Sequence, residues 1–383
     1  MKSVISLPFL VQLDKNLKSF NDLIQVVIGP RQVGKTTTLL KYLEESHSGK
    51  YHYVSADTVF HSTEKWIVEQ WNFARANHKI LAIDEIQKCE NWSEVIKMLW
   101  DESKAKKNPV TCILLGSSSL HLQKGLSESL TGRFQLIPVY HWNYAESKKG
   151  YKLRFEDYLK FGGYPGSYFL KGSHEWKTYL NQSILTTVIE KDILQFHTVK
   201  SPALFRQTFE ILISYPAQEI SYTKILGQIQ DKGNVELVKH YIALFEGAFL
   251  IKTLSKYSEK RVITKTSSPK ILPMAPCLYY STVLDEYTAE EKGRVFELVV
   301  GAQLQRLQGE LYYWREGNDE VDFIYKYGRR LYAIEVKSGR KKSNKGLLKF
   351  KSKFPNAKLV FITEKDYLEF EADPDGFLIK NGG

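Results

Sequence analysis

A chain of 383 residues, 43% hydrophobic and 25% charged, has the composition of an ordinary globular protein and the length of about two to four domains. No apolar run approaches the roughly 20 residues that cross a bilayer, and the start MKSVISLPFLVQLDK lacks a small-residue cleavage pattern. A membrane protein and an exported one are therefore set aside in favour of a cytoplasmic one, while 54 Lys and Arg against 43 Asp and Glu leave a surplus of 11 positive charges that favours a polyanionic partner.

In chain order, QVVIG, ILAID, VTCILLGSS and RFQLIPV are apolar, β-branched runs with polar borders, and helical patterns such as TTTLLKYLEESH and WSEVIKMLWDESKAKK lie between them. Buried strands alternating with helices predict a parallel sheet in an α/β domain over residues 1–145. Residues 146–199 read as helices interrupted by FGGYPGSY, and WKTYLNQSILTTVIEKDILQF reads as one long amphipathic helix. Over 200–275, three short helices precede a strand pair, the pattern of a winged helix-turn-helix, with Asn234 capping the third helix. Among its basic residues are Lys224, Lys239, His240 and Lys252, followed by Lys256, Lys260, Arg261 and Lys265 on the hairpin. A helix, EEKGRVFELVVGAQLQRL, then leads into the strands LYYWRE, EVDFIYKY, RLYAIEVKS and KLVFITE over 286–375. Cys89, Cys112 and Cys277 are too scattered for a zinc site and fit a reducing compartment.

GPRQVGKT, residues Gly29, Pro30, Arg31, Gln32, Val33, Gly34, Lys35 and Thr36, fits G-x-x-x-x-G-K-[ST] between a strand and a helix. Glycine lets backbone N–H groups curl around phosphate, and the helix N-terminus adds partial positive charge. The expected ligands are ATP and Mg²⁺. Thr37 opens the helix with its neighbours, Lys35 reaches the β- and γ-phosphates, and Thr36 ligates the metal. Asp84, at the C-terminal end of the apolar strand in KILAIDE, completes the metal shell, and Glu85 polarises the attacking water. Ser117 and Ser118, beyond a strand, fit either a γ-phosphate sensor or a plain Gly/Ser turn. Arg133 in SLTGR fits either an arginine finger acting across a subunit interface or a surface arginine.

At the other end, Asp322, Glu335 and Lys337 lie on two apolar runs, and Glu335 and Lys337 share one strand face. With Glu297 on the preceding helix they have the residue types of a metal-dependent phosphodiesterase: Glu297, Asp322 and Glu335 to hold the ion, Lys337 to steer water. The lysine-rich GRKKSNKGLLKFKSK beside them fits phosphate tracking or a solvated helix face. Cleavage and mere binding both remain open at this point.

In this order, GPRQVGKTT, AIDEIQ, GSSS, SLTGRF, GGYP and EVDF…AIEVKSG resemble a family of prokaryotic AAA-type ATPases with a C-terminal domain of PD-(D/E)xK nuclease-like fold. The resemblance runs from about residue 20 to 365. It implies an AAA-type P-loop NTPase domain, a helical lid, a winged helix and a restriction-endonuclease-like α/β domain, assembled as a homo-oligomer such as a ring. The stretch YHWNYAE, residues 140–146, departs from relatives and receives no role. The leading expectation is a Mg²⁺/ATP-dependent ATPase that binds and remodels DNA, branched or junction DNA included. The alternatives are an ATP-controlled protein-assembly switch and an ATP-driven structure-specific nuclease.

Overall fold

The computed structural model describes residues 6–19, 22–58, 63–116, 122, 125–126, 128–194, 199, 201–229, 234–258, 267–339 and 344–382. The chain forms two compact units. The first comprises Met1–His141, Gln182–Thr198 and Gly247–Phe249; the second comprises Trp142–Asn181, Val199–Glu246 and Leu250–Gly383.

The first unit is built on five parallel strands: β1 (Ile24–Ile28), β2 (Tyr51–Ser55), β3 (Ile80–Asp84), β4 (Thr111–Gly116) and β5 (Phe134–Pro138), in the order β2-β3-β4-β1-β5. All residues of β1 and β3 are buried, as expected of strands covered on both faces. Helices Phe9–Ser19, Lys35–His47, Glu64–Asn77 and Trp92–Ala105 belong to this unit. Leu81 and Ile83 of β3, Leu114 of β4, Trp71 and Ile96 form one buried cluster. The Trp71 indole N–H donates to Ser103 Oγ at 3.1 Å, so the one polar atom of that large ring is satisfied. Strand β1 neighbours β4 and β5 rather than β2, so the strand order switches there, and ligands of open α/β sheets bind at the carboxyl ends of strands at such a point.

Strand β2 and helix Glu64–Asn77 were not foreseen. YHYVS is half-exposed and holds two aromatic rings, a histidine and a serine, so no apolar run announces it. The run predicted as one amphipathic helix is helical from Glu175 to Leu194, but it is not a regular α-helix: Leu180–Leu185 and Val188–Leu194 wind as π-helix. A π-turn rotates the side chains off the 3.6-residue period that the prediction assumed. Residues 195–198 lie outside the described residues.

In the second unit, helices Pro202–Ile213, Tyr222–Gln228 and Val235–Gly247 accompany a small antiparallel sheet of β6 (Gln218–Glu219), β7 (Ile251–Leu254) and β8 (Lys270–Pro273), ordered β6-β8-β7. Asn234 caps the third helix as expected, accepting from Leu237 N at 2.8 Å. Helix Ala289–Leu304 opens with a Thr288/Glu291 capping box and precedes a four-stranded sheet of β9 (Glu310–Glu316), β10 (Asp319–Tyr327), β11 (Arg330–Lys337) and β12 (Lys358–Thr363). Its order is β12-β11-β10-β9, with β9, β10 and β11 antiparallel and β12 parallel to β11. Trp314, Ile324 and Ala333 pack with Leu347 and Phe350 of helix Lys345–Lys353.

A buried carboxylate ties distant parts of this unit together. Glu371 lies on helix Tyr367–Ala372. It accepts from the backbone N–H groups of Tyr144 and Ala145, both at 2.8 Å, and from the Tyr367 hydroxyl at 2.9 Å. Tyr144 and Ala145 open helix Tyr144–Tyr151, so Glu371 satisfies two donors that a helix start otherwise leaves unpaired. Among the described residues no helix is long and apolar enough to cross a membrane.

Candidate functional site

The glycine-rich loop leaves the end of β1 and enters helix Lys35–His47. Gly34 stands at φ 86°, a left-handed conformation that costs a residue without Cβ nothing. Gly29 is required for a different reason: a Cβ there would sit 2.3 Å from the Val139 carbonyl oxygen. The buried Lys35 ammonium donates to the carbonyls of Gly29 at 3.0 Å and Pro30 at 2.6 Å, inside the loop that a phosphate would enter. Arg31 and Val33 belong to the same loop, and Thr37 is exposed in the first turn of the helix. Gln32, itself at φ 57°, donates to the Ser183 carbonyl at 3.4 Å.

Parallel pairing of β3 beside β4 brings Asp84 to the loop. Thr36 Oγ1 donates to Asp84 Oδ2 at 2.5 Å, and the Tyr53 hydroxyl donates to the same oxygen at 3.1 Å. Oδ1 accepts the Glu85 backbone N–H at 2.9 Å. Burial, followed by the charge of Asp84, pushes the Tyr53 phenol well up, so it remains a donor. Glu85 occupies a left-handed backbone conformation at φ 52°, a strain that surrounding structure must hold in place. Its carboxylate accepts from the Gln87 amide at 2.6 Å and lies 3.8 Å from the Arg31 guanidinium. The sequence reading missed Tyr53 and Gln87. Gln87 had a local signal, three residues after Asp84 in AIDEIQ; Tyr53 had none.

Ser117 and Ser118 lie outside the described residues. Arg133 forks onto Asp101, with Nε at 3.0 Å and an outer nitrogen at 3.2 Å, and lies over the Trp100 ring.

The second unit places Asp322 on an irregularity of β10, between Val321 and Ile324, where the ladder register shifts. Such bulges re-aim a side chain, and here Asp322 Oδ2 accepts the Val336 N–H of β11 at 2.8 Å. Glu335 is buried on β11. Lys337, on the same face, donates to Asn344 at 2.9 Å and lies 4.9 Å over the Phe361 ring. The sequence reading also missed Lys270 of β8, whose ammonium is ion-paired with Glu297 and donates to the Asp322 carbonyl at 3.0 Å. Burial, and then the charge of Asp322, pushes the Glu297 carboxyl up to about 7. Burial pulls the Lys270 ammonium down, but Glu297 and Asp322 outweigh that and hold it above its ordinary value. A pocket of about 550 Å³ opens beside them, lined by Lys270, Glu297, Arg294, Arg315, Glu320 and Ser338 among others.

Glu297, Asp322 and Glu335 are the expected metal set. Among the described residues no group of three or more His, Cys, Asp or Glu side chains is arranged to hold a metal ion. Lys270 brings a positive charge to the Glu297 carboxylate of that set.

The expected phosphate-tracking lysines are largely paired. Lys239 contacts Glu236 at 2.9 Å, Lys252 contacts Glu246 at 3.5 Å, and Lys353 contacts Glu316 at 2.5 Å. Lys224 lies over the Tyr215 ring. Lys260, Arg261, Lys265, Lys341 and Lys342 lie outside the described residues.

Residues 21–148 match the AAA domain family. Residues 152–283 and 292–377 match two further families, each described only as a domain of unknown function. An uncharacterized protein of Methanocaldococcus jannaschii is 26% identical over 353 residues, spanning 85% of this chain and 77% of its own. One from Mycobacterium tuberculosis is 25% identical over 322 residues, 82% of this chain and 70% of its own. Among solved structures, the Thermotoga maritima RuvB Holliday junction branch migration motor is 14% identical, covering 64% of this chain and 88% of that one, with a TM-score of 0.34. AMPPCP-bound DnaA from Aquifex aeolicus is 17% identical, covering 64% and 89%, with a TM-score of 0.33. Superpositions that loose carry no argument about what this chain binds.

Proposed function

We propose that this protein is a Mg²⁺-dependent ATPase that engages DNA and assembles as a homo-oligomer. The observation that carries the reading is the meeting of Lys35, Thr36 and Asp84 at the carboxyl end of β1, within the stretch that matches the AAA domain family. A hydroxyl and a carboxylate side by side are the hard oxygen donors that suit Mg²⁺, which, when bound, neutralises charge on the phosphate oxygens. Lys35 exchanges its two loop carbonyls for β- and γ-phosphate oxygens. The glycine loop and the following helix N-terminus direct N–H groups at the same anion. Glu85 orients the attacking water, and Gln87 and Arg31 fix where its carboxylate points. Arg133 is the group we assign to a neighbouring subunit's nucleotide, released from Asp101 on assembly.

In this reading residues 146–199 form a helical lid and 200–275 a winged helix, supported by three helices with a β6-β8-β7 sheet. Residues 286–375 form a nuclease-like domain, supported by a helix, three antiparallel strands, a further helix and a parallel fourth strand. The net charge of +11 supports DNA as the partner. The test is phosphate release by the purified chain alone and with single-stranded, duplex and four-way DNA, with DNA integrity read in the same tubes. Turnover raised by DNA, with binding that weakens as salt rises, is expected. Turnover indifferent to every nucleic acid would refute the DNA role and favour a protein-assembly switch. Absence of turnover would remove the ATPase itself.

A further inference from the structure

A restriction-endonuclease-like sheet carries the expectation of a divalent metal, and the residues here do not fit one. We propose that Lys270 is a built-in cation that takes the place of that metal, so that the Glu297–Asp322 site excludes Mg²⁺ and Mn²⁺ and the domain does not cut.

Four observations converge. The Lys270 side chain is only 8% exposed, although a lysine is almost never buried without compensation. Its ammonium has that compensation on three sides: the Glu297 carboxylate, the Asp322 carbonyl oxygen at 3.0 Å, and the face of Phe323 at 4.9 Å. A carboxylate and a backbone carbonyl are the oxygens that a hard divalent cation would itself claim. The Asp322 carboxylate, the other prospective ligand, has one oxygen engaged by the Val336 N–H. A dication entering here would meet an ammonium held within hydrogen-bond reach of its own ligands. The pocket beside the site stays open and lined by both signs of charge, so a site that takes up no metal can still receive a ligand.

Lys270 is delivered by β8, which belongs to the small sheet, while Asp322 belongs to the four-stranded one. Glu297 comes from the helix between them in sequence. The charge that silences the site therefore comes from outside the strands that carry the nuclease-like pattern.

The inference rests on the nuclease-like reading of the domain but not on ATP hydrolysis, and the experiment separates the two. Mn²⁺ binding to the full chain is followed by electron paramagnetic resonance without nucleotide, and ATPase activity is measured separately. Wild type and Glu297→Gln are expected to bind Mn²⁺ equally weakly. Lys270→Met, which keeps the apolar stem and removes the charge, should gain about one Mn²⁺ site per chain. Lys270→Met combined with Glu297→Gln should lose it again. A site in wild type that Glu297→Gln abolishes overturns the proposal. So does a folded Lys270→Met, judged by its near-ultraviolet circular dichroism, that gains none. Should Lys270→Met not fold, Lys270→Gln replaces it. The comparison of wild type with Glu297→Gln decides metal exclusion in either case.

Discussion

Replacing Gly29 by alanine tests whether the loop geometry, rather than the motif letters, binds the nucleotide. The added Cβ would lie 2.3 Å from the Val139 carbonyl oxygen and 2.9 Å from the Val139 Cβ. Ordinary packing begins at 3.4 Å, so the two must separate by about 1.1 Å (3.4 − 2.3). Val139 has little room to yield, because its N–H donates to Ile28 O at 2.7 Å and it continues β5, which pairs with β1. The loop moves instead, carrying the carbonyl that receives Lys35. Overpacking of this kind costs about 1–3 kcal/mol, and a displacement near 1 Å at a reacting site costs on the order of a hundredfold. The expected result is a loss of about 10- to 100-fold in affinity for a fluorescent ATP analogue, with a melting temperature lower by several degrees. Gly227→Ala is the control, since nothing lies within 4 Å of the Cβ it would add. A Gly29→Ala protein that binds the analogue within about twofold of wild type and melts at the wild-type temperature would refute the reasoning.

Lys35→Ala is expected to abolish phosphate release, whereas Glu85→Gln should retain ATP on a filter yet turn over at least about a hundredfold more slowly; a wild-type rate in Glu85→Gln removes the role given to that carboxylate. Arg133→Ala should bind ATP without hydrolysing it, and mixing it with Lys35→Ala should restore part of the activity in a verified mixed oligomer, because some interfaces regain both groups. Glu371→Ala strips partners from one buried and one partly buried backbone N–H group and from the Tyr367 hydroxyl, a loss of roughly 3 kcal/mol that hydrogen exchange across Tyr144–Tyr151 should register as a local drop in protection. Burial, moreover, raises the Glu371 carboxyl, so the folded state holds its proton more tightly than the unfolded one. That contribution to stability is full below the ordinary glutamate value of 4.5 and is lost as pH rises through the elevated one. Urea midpoints measured against pH should fall more steeply over that window in wild type than in Glu371→Gln.

The nucleotide site was legible because its chemistry is local. Eight consecutive residues place two glycines, a lysine and a threonine between a strand and a helix, and the turn forms wherever those neighbours form. Asp84 was legible for the same reason, as an acid that ends a five-residue buried strand. Tyr53 was not, because its approach to Asp84 depends on β2 pairing with β3 in a register that opposes Ser55 to Asp84. No spacing within either segment encodes that register. The lysines differ: their charge was plain, but a partner such as Glu316 for Lys353 is fixed by how a helix lies on a sheet, whereas Glu236 for Lys239 is three residues away on one helix.

Lys270 is the sharpest case. In PKILP it stands among apolar residues on a strand whose four positions are all buried, and a charge in such a run signals a partner waiting elsewhere in the fold. The partner could not be named from the sequence, since Glu297 and Asp322 follow at separations of 27 and 52 residues on other elements. The pattern lists Glu297, Asp322 and Glu335 to attract a cation and Lys337 to steer water, and omits the buried ammonium of Lys270 beside Glu297. A pattern of ligands is therefore a statement about charge only after every buried charge within reach has been counted. Here the count includes an ammonium, paired with the Glu297 carboxylate and bonded to the Asp322 backbone carbonyl, and it changes the chemistry expected of Glu297 from holding a metal to holding Lys270.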